Sequence, residues 1–178
     1  MERCPLTSAR CRRTSTPSSA SRRPGGCEIL QANPGIRGTL LDLPDTVARG
    51  RELLAERGLG GRCEFAGQSF FDPLPAGHDV YLLSAVLHDW DDEPAVAILR
   101  RCAEAAGATG RVVIVESHGT GGDDPAMFAE MDLRMLVLSG GRERSVAGYG
   151  ALARAAGLAA ADVRTTSSGH VIIECRAA

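Results

Sequence analysis

Residues 80–93 read VYLLSAVLHDWDDE, and this stretch decides the fold class. Val80–Ser84 is apolar up to its final serine, which is typical of a strand that is covered on both faces of a parallel sheet. Asp91 and Asp92 follow and place acids where a helix dipole is positive, so a helix is predicted over Asp91–Ala106. Arg111–Glu116, RVVIVE, then repeats the buried-strand pattern. A strand, a helix and a second strand in this order predict an α/β domain.

The same patterns recur from residue 28 onward. Further strands are predicted at Gly38–Asp42, Arg62–Ala66, Ala161–Thr165 and His170–Cys175, and further helices at Pro44–Arg57, Pro125–Leu138 and Ser145–Ala156. A short Ser/Gly turn at residues 167–169 joins the last two strands, which predicts an antiparallel hairpin. We therefore expect a mostly parallel sheet with an antiparallel C-terminal hairpin.

Residues 1–27 differ from the rest of the chain. They are rich in Ser, Thr, Pro and Arg and have almost no apolar periodicity. Such a segment buries too little surface to offset its ordering entropy, so we expect it to be disordered. The predicted organisation is a disordered segment at 1–27 followed by one α/β domain at 28–178.

Charge and cysteine content exclude several classes of protein. Residues 28–178 carry 14 arginines against 21 acids, and the whole chain has a net charge of −2. Nucleic-acid binding needs concentrated positive charge, so we expect no nucleic-acid partner. The six cysteines form no CxxC pair, which argues against a zinc site or a disulfide framework and favours a reducing cytoplasm. No apolar run reaches the roughly 18 residues of a membrane span, so we expect no membrane association.

Three residues near predicted strand ends and one in the glycine-led loop 140–144 are candidates for chemistry, because ligands of parallel sheets bind at the carboxyl ends of the strands. Asp42 could accept hydrogen bonds from a ribose diol or only cap the next helix. His88 has an ordinary pKa near 6.5 and could accept a proton at neutral pH or be structural. Glu116 and Glu143 could orient that histidine, and Glu143 could equally pair with an arginine. The acids at 89, 91 and 92 are expected to be helix caps, so no metal is predicted.

Several stretches, taken together in order and spacing, match one family. They are NPGIRGTLLDLPDTV, FFDPLPAGHDVYLL, VLHDWDDEPAVAILR, RVVIVE and DLRMLVLSGGRERS. They resemble the catalytic domain of the caffeic-acid-type O-methyltransferases over about residues 33–175. This resemblance implies a Rossmann-like methyltransferase sheet, S-adenosylmethionine as cofactor, and methyl transfer to a hydroxyl of a small phenolic or polyketide acceptor in secondary metabolism.

The resemblance also implies a role for each matching residue. His88 is the general base, flanked by Glu116 and Glu143. The residues implied to contact the cofactor are Asp42 at the ribose, Ser69 and Phe70 at the adenine, Ser84 and Trp90 at the methionine end, and Gly26 in the glycine-rich loop. The residues implied to line the acceptor pocket are Asp89, Asp132 and Met135.

The front of the chain departs from the family pattern. Family members have a first strand that ends in a GGGxG loop, whereas here Pro24-Gly25-Gly26 follows no apolar run, and Glu28–Asn33 resembles the tail of the next helix. We therefore expect the central first strand to be missing, the chain to be shortened at its N-terminus, and S-adenosylmethionine binding to be weak or absent. The family's helical dimerisation domain has no counterpart here, although the resemblance implies a homodimer.

Three alternatives compete with an active methyltransferase. The first is a catalytically inactive, truncated or frameshifted remnant of such an enzyme. The second, a nicotinamide-dependent oxidoreductase, needs a GxGxxG after a strand, and the chain has none. The third, a pure interaction module, is disfavoured by the buried strands and by the acids at their ends.

Overall fold

A computed structural model describes residues 3–7, 26–117, 125–167 and 169–178. Its strands are β1 (Arg3–Thr7), β2 (Arg37–Asp42), β3 (Cys63–Gly67), β4 (Val80–Ser84), β5 (Arg111–Ser117), β6 (Leu158–Thr165) and β7 (His170–Ala177). Its helices are α1 (Gly26–Ala32), α2 (Pro44–Glu56), α3 (Asp92–Ala106), α4 (Pro125–Ser139) and α5 (Val146–Ala155). Short 3-10 turns lie at Gly60–Arg62 and Leu87–Asp89.

The strands form one sheet in the order β3-β2-β1-β4-β5-β7-β6. The pairs among β1 to β5 are parallel, and β7 runs antiparallel to both β5 and β6. The predicted α/β class, the mostly parallel sheet and the antiparallel C-terminal hairpin are therefore confirmed. The helix predicted at Glu28–Asn33 is also present, two residues earlier, as α1.

The central position of the sheet is filled, so the prediction of a missing first strand is wrong. Residues Arg3–Thr7 form β1, which pairs with β2 on one side and with β4 on the other. The prediction of disorder over 1–27 is wrong for these five residues and for Gly26 and Cys27, which begin α1, and residues 1–2 and 8–25 lie outside the described part of the chain. The physical reason is tertiary: two facing strands leave unpaired N–H and C=O groups that almost any extended segment can satisfy.

Successive side chains of the central strands point to opposite faces of the sheet, and a hydrophobic core covers each face. This explains why the centres of these strands are apolar at consecutive positions. Tyr81 and Leu83 of β4 pack in a large core with α3 and α5, whereas Leu82 packs in a second core with α1 and α2. In β5, Val112 and Ile114 join the first core and Val113 and Val115 join the second. Both faces of the sheet are thus covered, as the sequence predicts.

Local signals fix where the helices begin and end. Asp91 is the N-cap of α3 and its side chain accepts a hydrogen bond from the Asp92 amide at 2.8 Å. Gly107 ends the same helix with a φ of 60°, a conformation that favours glycine. Ser145 caps α5 by accepting from the Gly148 amide at 3.2 Å. Among the described residues, no helix is long and apolar enough to cross a membrane.

Candidate active site

The candidate residues lie at one edge of the sheet. Asp42 ends β2, Ser84 ends β4, and Glu116 lies one residue before the end of β5. These three strands are parallel, so their carboxyl ends share an edge, and the loop after β4 brings His88 to it. Asp42 and Glu116 are both buried, with 1% and 0% of their surfaces exposed. Two carboxylates buried at a strand-end edge mark this edge as the candidate site.

Glu116 organises the loop that follows β4. One of its carboxylate oxygens, Oε1, accepts hydrogen bonds from the backbone amides of Val86 at 3.0 Å and Leu87 at 2.8 Å. The chain turns towards it at Ala85, a non-glycine residue with a φ of 54°. That left-handed conformation costs a residue with a side chain about 1 kcal/mol or more. The two amide bonds to Glu116 offset this cost, since they satisfy a buried carboxylate.

His88 contacts the same carboxylate. Its Nδ1 lies 2.6 Å from Oε2 of Glu116, and its Nε2 lies 3.4 Å from Oδ1 of Asp89. We assign the ring hydrogen to Nδ1, which donates to Oε2 of Glu116, because the hydrogen bond and the charge of Glu116 both raise the pKa of His88, as an accepting carboxylate does. In the neutral ring, Nε2 then carries the lone pair that can accept a proton.

The surroundings of His88 act on its pKa in opposite directions. Burial lowers the pKa, but the hydrogen bond to Glu116, the charge of Glu116, and the charges of Asp89 and Glu143 together outweigh burial. The net effect is a pKa above the ordinary value of 6.5. The positively charged imidazolium is therefore better stabilised here than in water.

The raised pKa of His88 predicts a dependence of stability on pH. A histidine whose pKa is higher in the folded state stabilises the fold fully below its unfolded pKa of about 6.5, and this contribution is lost as the pH rises through the folded pKa. Urea unfolding from about pH 6 to pH 9 should therefore show a decline in the free energy of unfolding that is smaller in His88→Asn. Identical pH profiles for the two chains would mean that the charged pair contributes nothing.

Glu143 lies beside this pair on the loop between α4 and α5. It is buried, with 7% of its surface exposed, and its charge contributes to the raised pKa of His88. Its backbone amide donates to Oδ1 of Asp132 at 2.9 Å, which ties the loop to α4. Asp132 and Met135 are half-buried and three residues apart on α4, so they share one face of that helix. The structure thus connects Asp132 to the loop that carries Glu143.

Gly141 brings the loop into direct contact with the histidine backbone. A Cβ atom added there would lie 2.1 Å from the carbonyl oxygen of His88 and 2.5 Å from the carbonyl carbon of Asp89. The next residue, Arg142, donates its amide hydrogen to that His88 oxygen at 3.0 Å. Glycine at 141 is required because the two backbones touch.

Gly141→Ala is expected to be destabilising, because the new methyl group must push apart two backbone segments. Overpacking of this kind costs about 1–3 kcal/mol, and the shift would also displace His88 from Glu116. Gly61→Ala is the matched control, since a Cβ at Gly61 meets no atom within 4 Å and its φ is not positive. Thermal melts of both variants decide the point: equal melting temperatures would contradict the close approach.

The predicted cofactor residues separate into two groups. Asp42 and Ser84 lie at strand ends, as described above. Phe70, Phe71 and Trp90 form an aromatic cluster in which the Phe70 and Trp90 ring centroids are 5.8 Å apart and nearly perpendicular. Ser69 accepts a hydrogen bond from the Phe71 amide at 3.2 Å, so it shapes the turn before the cluster. Gly26 is the first residue of α1, and the loop before it lies outside the described residues.

Two buried residues of the site region were missed by sequence reasoning. Arg144 is 6% exposed and bonds to the loop around His88. Tyr149 is fully buried on α5, and its hydroxyl has no hydrogen-bond partner among the described residues. Burial, together with the charges of Glu116 and Glu143, raises the pKa of Tyr149. The helical spacing of Tyr149, Leu152 and Ala153 signals a core position, but no sequence pattern signals its proximity to the acids.

A model of the O-methyltransferase domain matches residues 26–159, three quarters of the chain. The chain belongs to the O-methyltransferase domain family. Among its relatives, a 2,7-dihydroxy-5-methyl-1-naphthoate 7-O-methyltransferase from Streptomyces carzinostaticus is 53% identical over 131 residues, which are 74% of this chain and 39% of the relative. A phenazine O-methyltransferase from Lysobacter antibioticus is 43% identical over 83% of this chain and 43% of its own length.

Solved structures of the family agree with the fold of this O-methyltransferase domain. An O-methyltransferase of neocarzinostatin biosynthesis, crystallised with S-adenosylmethionine and 2-hydroxy-5-methyl naphthoic acid, superposes with a TM-score of 0.77 at 47% identity. It covers 84% of this chain, and this chain covers 44% of it. The predicted family is therefore confirmed, and the chain spans less than half the length of these relatives.

Membership of the family does not by itself fix the reaction. One relative, 42% identical over 76% of this chain and 37% of its own length, is an aclacinomycin 10-hydroxylase from Streptomyces purpurascens. The reaction therefore depends on the residues of the site, which here are His88 and its neighbouring acids.

Proposed function

We propose that this chain forms the cofactor-binding and proton-accepting part of an S-adenosylmethionine-dependent O-methyltransferase. Its acceptor is a hydroxyl group of a small hydroxylated aromatic compound, such as a phenol or polyketide. The observation that carries the proposal is the buried contact of 2.6 Å between Nδ1 of His88 and Glu116 at the carboxyl edge of the sheet. Methylation of a hydroxyl needs a proton acceptor of this kind beside the acceptor oxygen.

The residues at the sheet edge fit the proposed cofactor. Asp42 is a buried carboxylate at the end of β2, the type and position of group that accepts hydrogen bonds from a ribose diol. Phe70 supplies an apolar ring for the adenine side, with Ser69, Ser84, Trp90 and Gly26 completing the proposed contacts. When bound, S-adenosylmethionine supplies a methyl group that is attached to a positively charged sulfur. After transfer of the methyl group, the rest of the cofactor leaves as a neutral thioether.

The chain's own chemistry is the removal of a proton. Nε2 of His88 accepts the hydroxyl proton while Nδ1 continues to donate to Glu116. A phenol has a pKa near 10, so transfer to an ordinary histidine of pKa about 6.5 is uphill by roughly 5 kcal/mol. Glu116, Asp89 and Glu143 raise the pKa of His88 and so reduce this gap. The rate of methyl transfer should therefore rise with pH through the folded-state pKa of His88 and then level off.

The acceptor is proposed to lie between His88 and α4. Glu143 and Asp89 place negative charge near the histidine, and Asp132 and Met135 form a half-buried polar and apolar pair on α4. A flat aromatic ring with one hydroxyl needs this mixture, because its ring is apolar and its oxygen must reach the base. The naphthoate relative acts on an acceptor of that class. We further propose, on the family resemblance, a homodimeric cytoplasmic enzyme of secondary metabolism.

A chimera tests the proposal. Residues 26–178 would replace the corresponding part of the naphthoate 7-O-methyltransferase, with which the chain shares 53% identity. The folded chimera is incubated with S-adenosylmethionine and a panel of hydroxynaphthoates and related phenols, and the products are analysed by mass spectrometry. A product heavier by one CH2 unit, with a methyl group in place of the hydroxyl hydrogen, supports the proposal.

Two other outcomes of the chimera experiment contradict the proposal. A product heavier by one oxygen atom would assign the chain to hydroxylation, as in the aclacinomycin relative. A chimera that folds, binds cofactor and makes no product would favour the inactive remnant.

A further inference from the structure

Every nitrogen of the Arg144 guanidinium group donates hydrogen bonds within the protein. Nε and Nη2 donate to Oδ1 of Asp92 at 3.0 and 2.8 Å, and Nη2 also donates to the carbonyl of Trp90 at 2.8 Å. Nη1 donates to the carbonyls of Leu87 at 2.9 Å and Arg142 at 3.3 Å. A guanidinium carries five N–H donors, and all five have an acceptor here. The Arg144 side chain is 5% exposed, so water does not replace these bonds.

The acceptors of Arg144 lie on both sides of His88. Leu87 immediately precedes the histidine, and Trp90 follows it by two residues, so one rigid planar group fixes both ends of the 87–90 turn. Through Asp92 the same group connects the turn to the first residue of α3. The direction of the His88 ring depends on this backbone, because its Nδ1 must meet Glu116 at 2.6 Å.

We propose that Arg144 is a positioning residue, which holds the backbone on both sides of His88 and so keeps its imidazole against Glu116. This inference deepens the proposed function, since it rests on His88 as the proton acceptor. The planar fork of an arginine can meet carbonyl acceptors at fixed angles, whereas a lysine at the same place carries the charge as a point and cannot reach all of them.

The charged groups around His88 allow geometry to be separated from charge. Glu116 faces the ring from β5, Asp89 from the turn itself, and Glu143 from the loop before α5. Arg144 is a neighbouring positive charge, so removing that charge alone would raise the pKa of His88. Loss of the hydrogen bond to Glu116 would lower it. Arg144→Lys keeps the positive charge and removes the hydrogen bonds that need the planar guanidinium. The sign of the change in the pKa of His88 therefore distinguishes the two effects.

The test is a pH titration of His88 by NMR in the whole 178-residue chain with isotope-labelled histidine. In Arg144→Lys the pKa of His88 should fall by about one unit or more, because an opposite charge in hydrogen-bonding contact is worth about 1–3 units. Arg142→Lys is the matched control: its side chain also pairs with Asp92, but it is 53% exposed and should leave the pKa of His88 unchanged. An unchanged pKa in Arg144→Lys would overturn the proposal.

A measurement on the unsubstituted chain decides the point if Arg144→Lys does not fold. A guanidinium held by five hydrogen bonds rotates slowly, so the Nη hydrogens of Arg144 should give separate NMR signals that exchange slowly with water. A single averaged, rapidly exchanging signal would overturn the proposal. Neither readout needs catalysis, so a chimera without methyltransferase activity would contradict the proposed function and leave the positioning role standing. In an active chimera, Arg144→Lys should lower kcat and leave the KM for S-adenosylmethionine nearly unchanged.

Discussion

His88→Ala in the chimera is expected to lower the rate of methyl transfer by about two to four powers of ten, which is the usual contribution of a positioned general base. The loss arises because Nε2 of His88 is the proposed acceptor of the hydroxyl proton, and the alanine side chain cannot accept one. Binding of S-adenosylmethionine should be nearly unchanged, because the proposed contacts to the ribose and adenine come from β2 and from the segment around Phe70. Turnover is measured with saturating acceptor, and cofactor binding by calorimetry.

A second histidine provides the control for His88→Ala. His78 precedes β4 and lies at the opposite end of that strand, where its ring contacts Tyr81. His78→Ala should therefore leave turnover close to that of the unsubstituted chimera. Turnover of His88→Ala at the same level would remove His88 from the role of base.

Glu116→Gln is expected to be at least as damaging, with a fall of about 10⁴ in turnover, as seen when the acid that orients a catalytic histidine becomes an amide. The amide oxygen of glutamine can still accept from Val86 and Leu87, so the turn is retained. Its amide nitrogen then faces Nδ1 of His88 and donates to it. The ring proton therefore moves to Nε2, and the atom that should accept a proton becomes a donor.

The pKa of His88 provides a second readout for Glu116→Gln. Burial remains while the largest stabilising contact with a negative charge is lost, so the pKa should fall below 6.5. Glu104→Gln, an exposed position on α3, is the control and should change neither turnover nor pKa. A Glu116→Gln variant with a normal His88 pKa would show that the two side chains do not interact in solution.

The sequence predicted the parts of the fold that depend on local pattern. The strands around Leu82 and Val113 have consecutive apolar residues at their centres, and the structure covers both of their faces. Asp91 and Ser145 were recognisable as helix starts because their side chains suit an N-cap. Glu116 and His88 could be placed at one edge of the sheet, because Glu116 lies near the end of one buried parallel strand and His88 follows another; their pairing was an expectation from the family resemblance.

Features that depend on tertiary contact could not be predicted in this way. The segment Arg3–Thr7 has no apolar run and contains a proline, yet it forms the central strand because β2 and β4 leave a row of unpaired backbone groups. Ala85 gives no sequence signal for its φ of 54°, which follows from the two amide bonds to Glu116. No sequence pattern distinguishes Arg144 from the other arginines, yet its five donors bind the turn around His88, Asp92 and the carbonyl of Arg142.

The tautomer of His88 tests the central claim most directly. In the whole chain with ¹⁵N-labelled histidine, NMR above the pKa of His88 shows which ring nitrogen carries the hydrogen. We expect the hydrogen on Nδ1, which donates to Glu116, the lone pair on Nε2, and a pKa above 6.5. A hydrogen on Nε2, or a pKa at or below 6.5, would contradict this expectation.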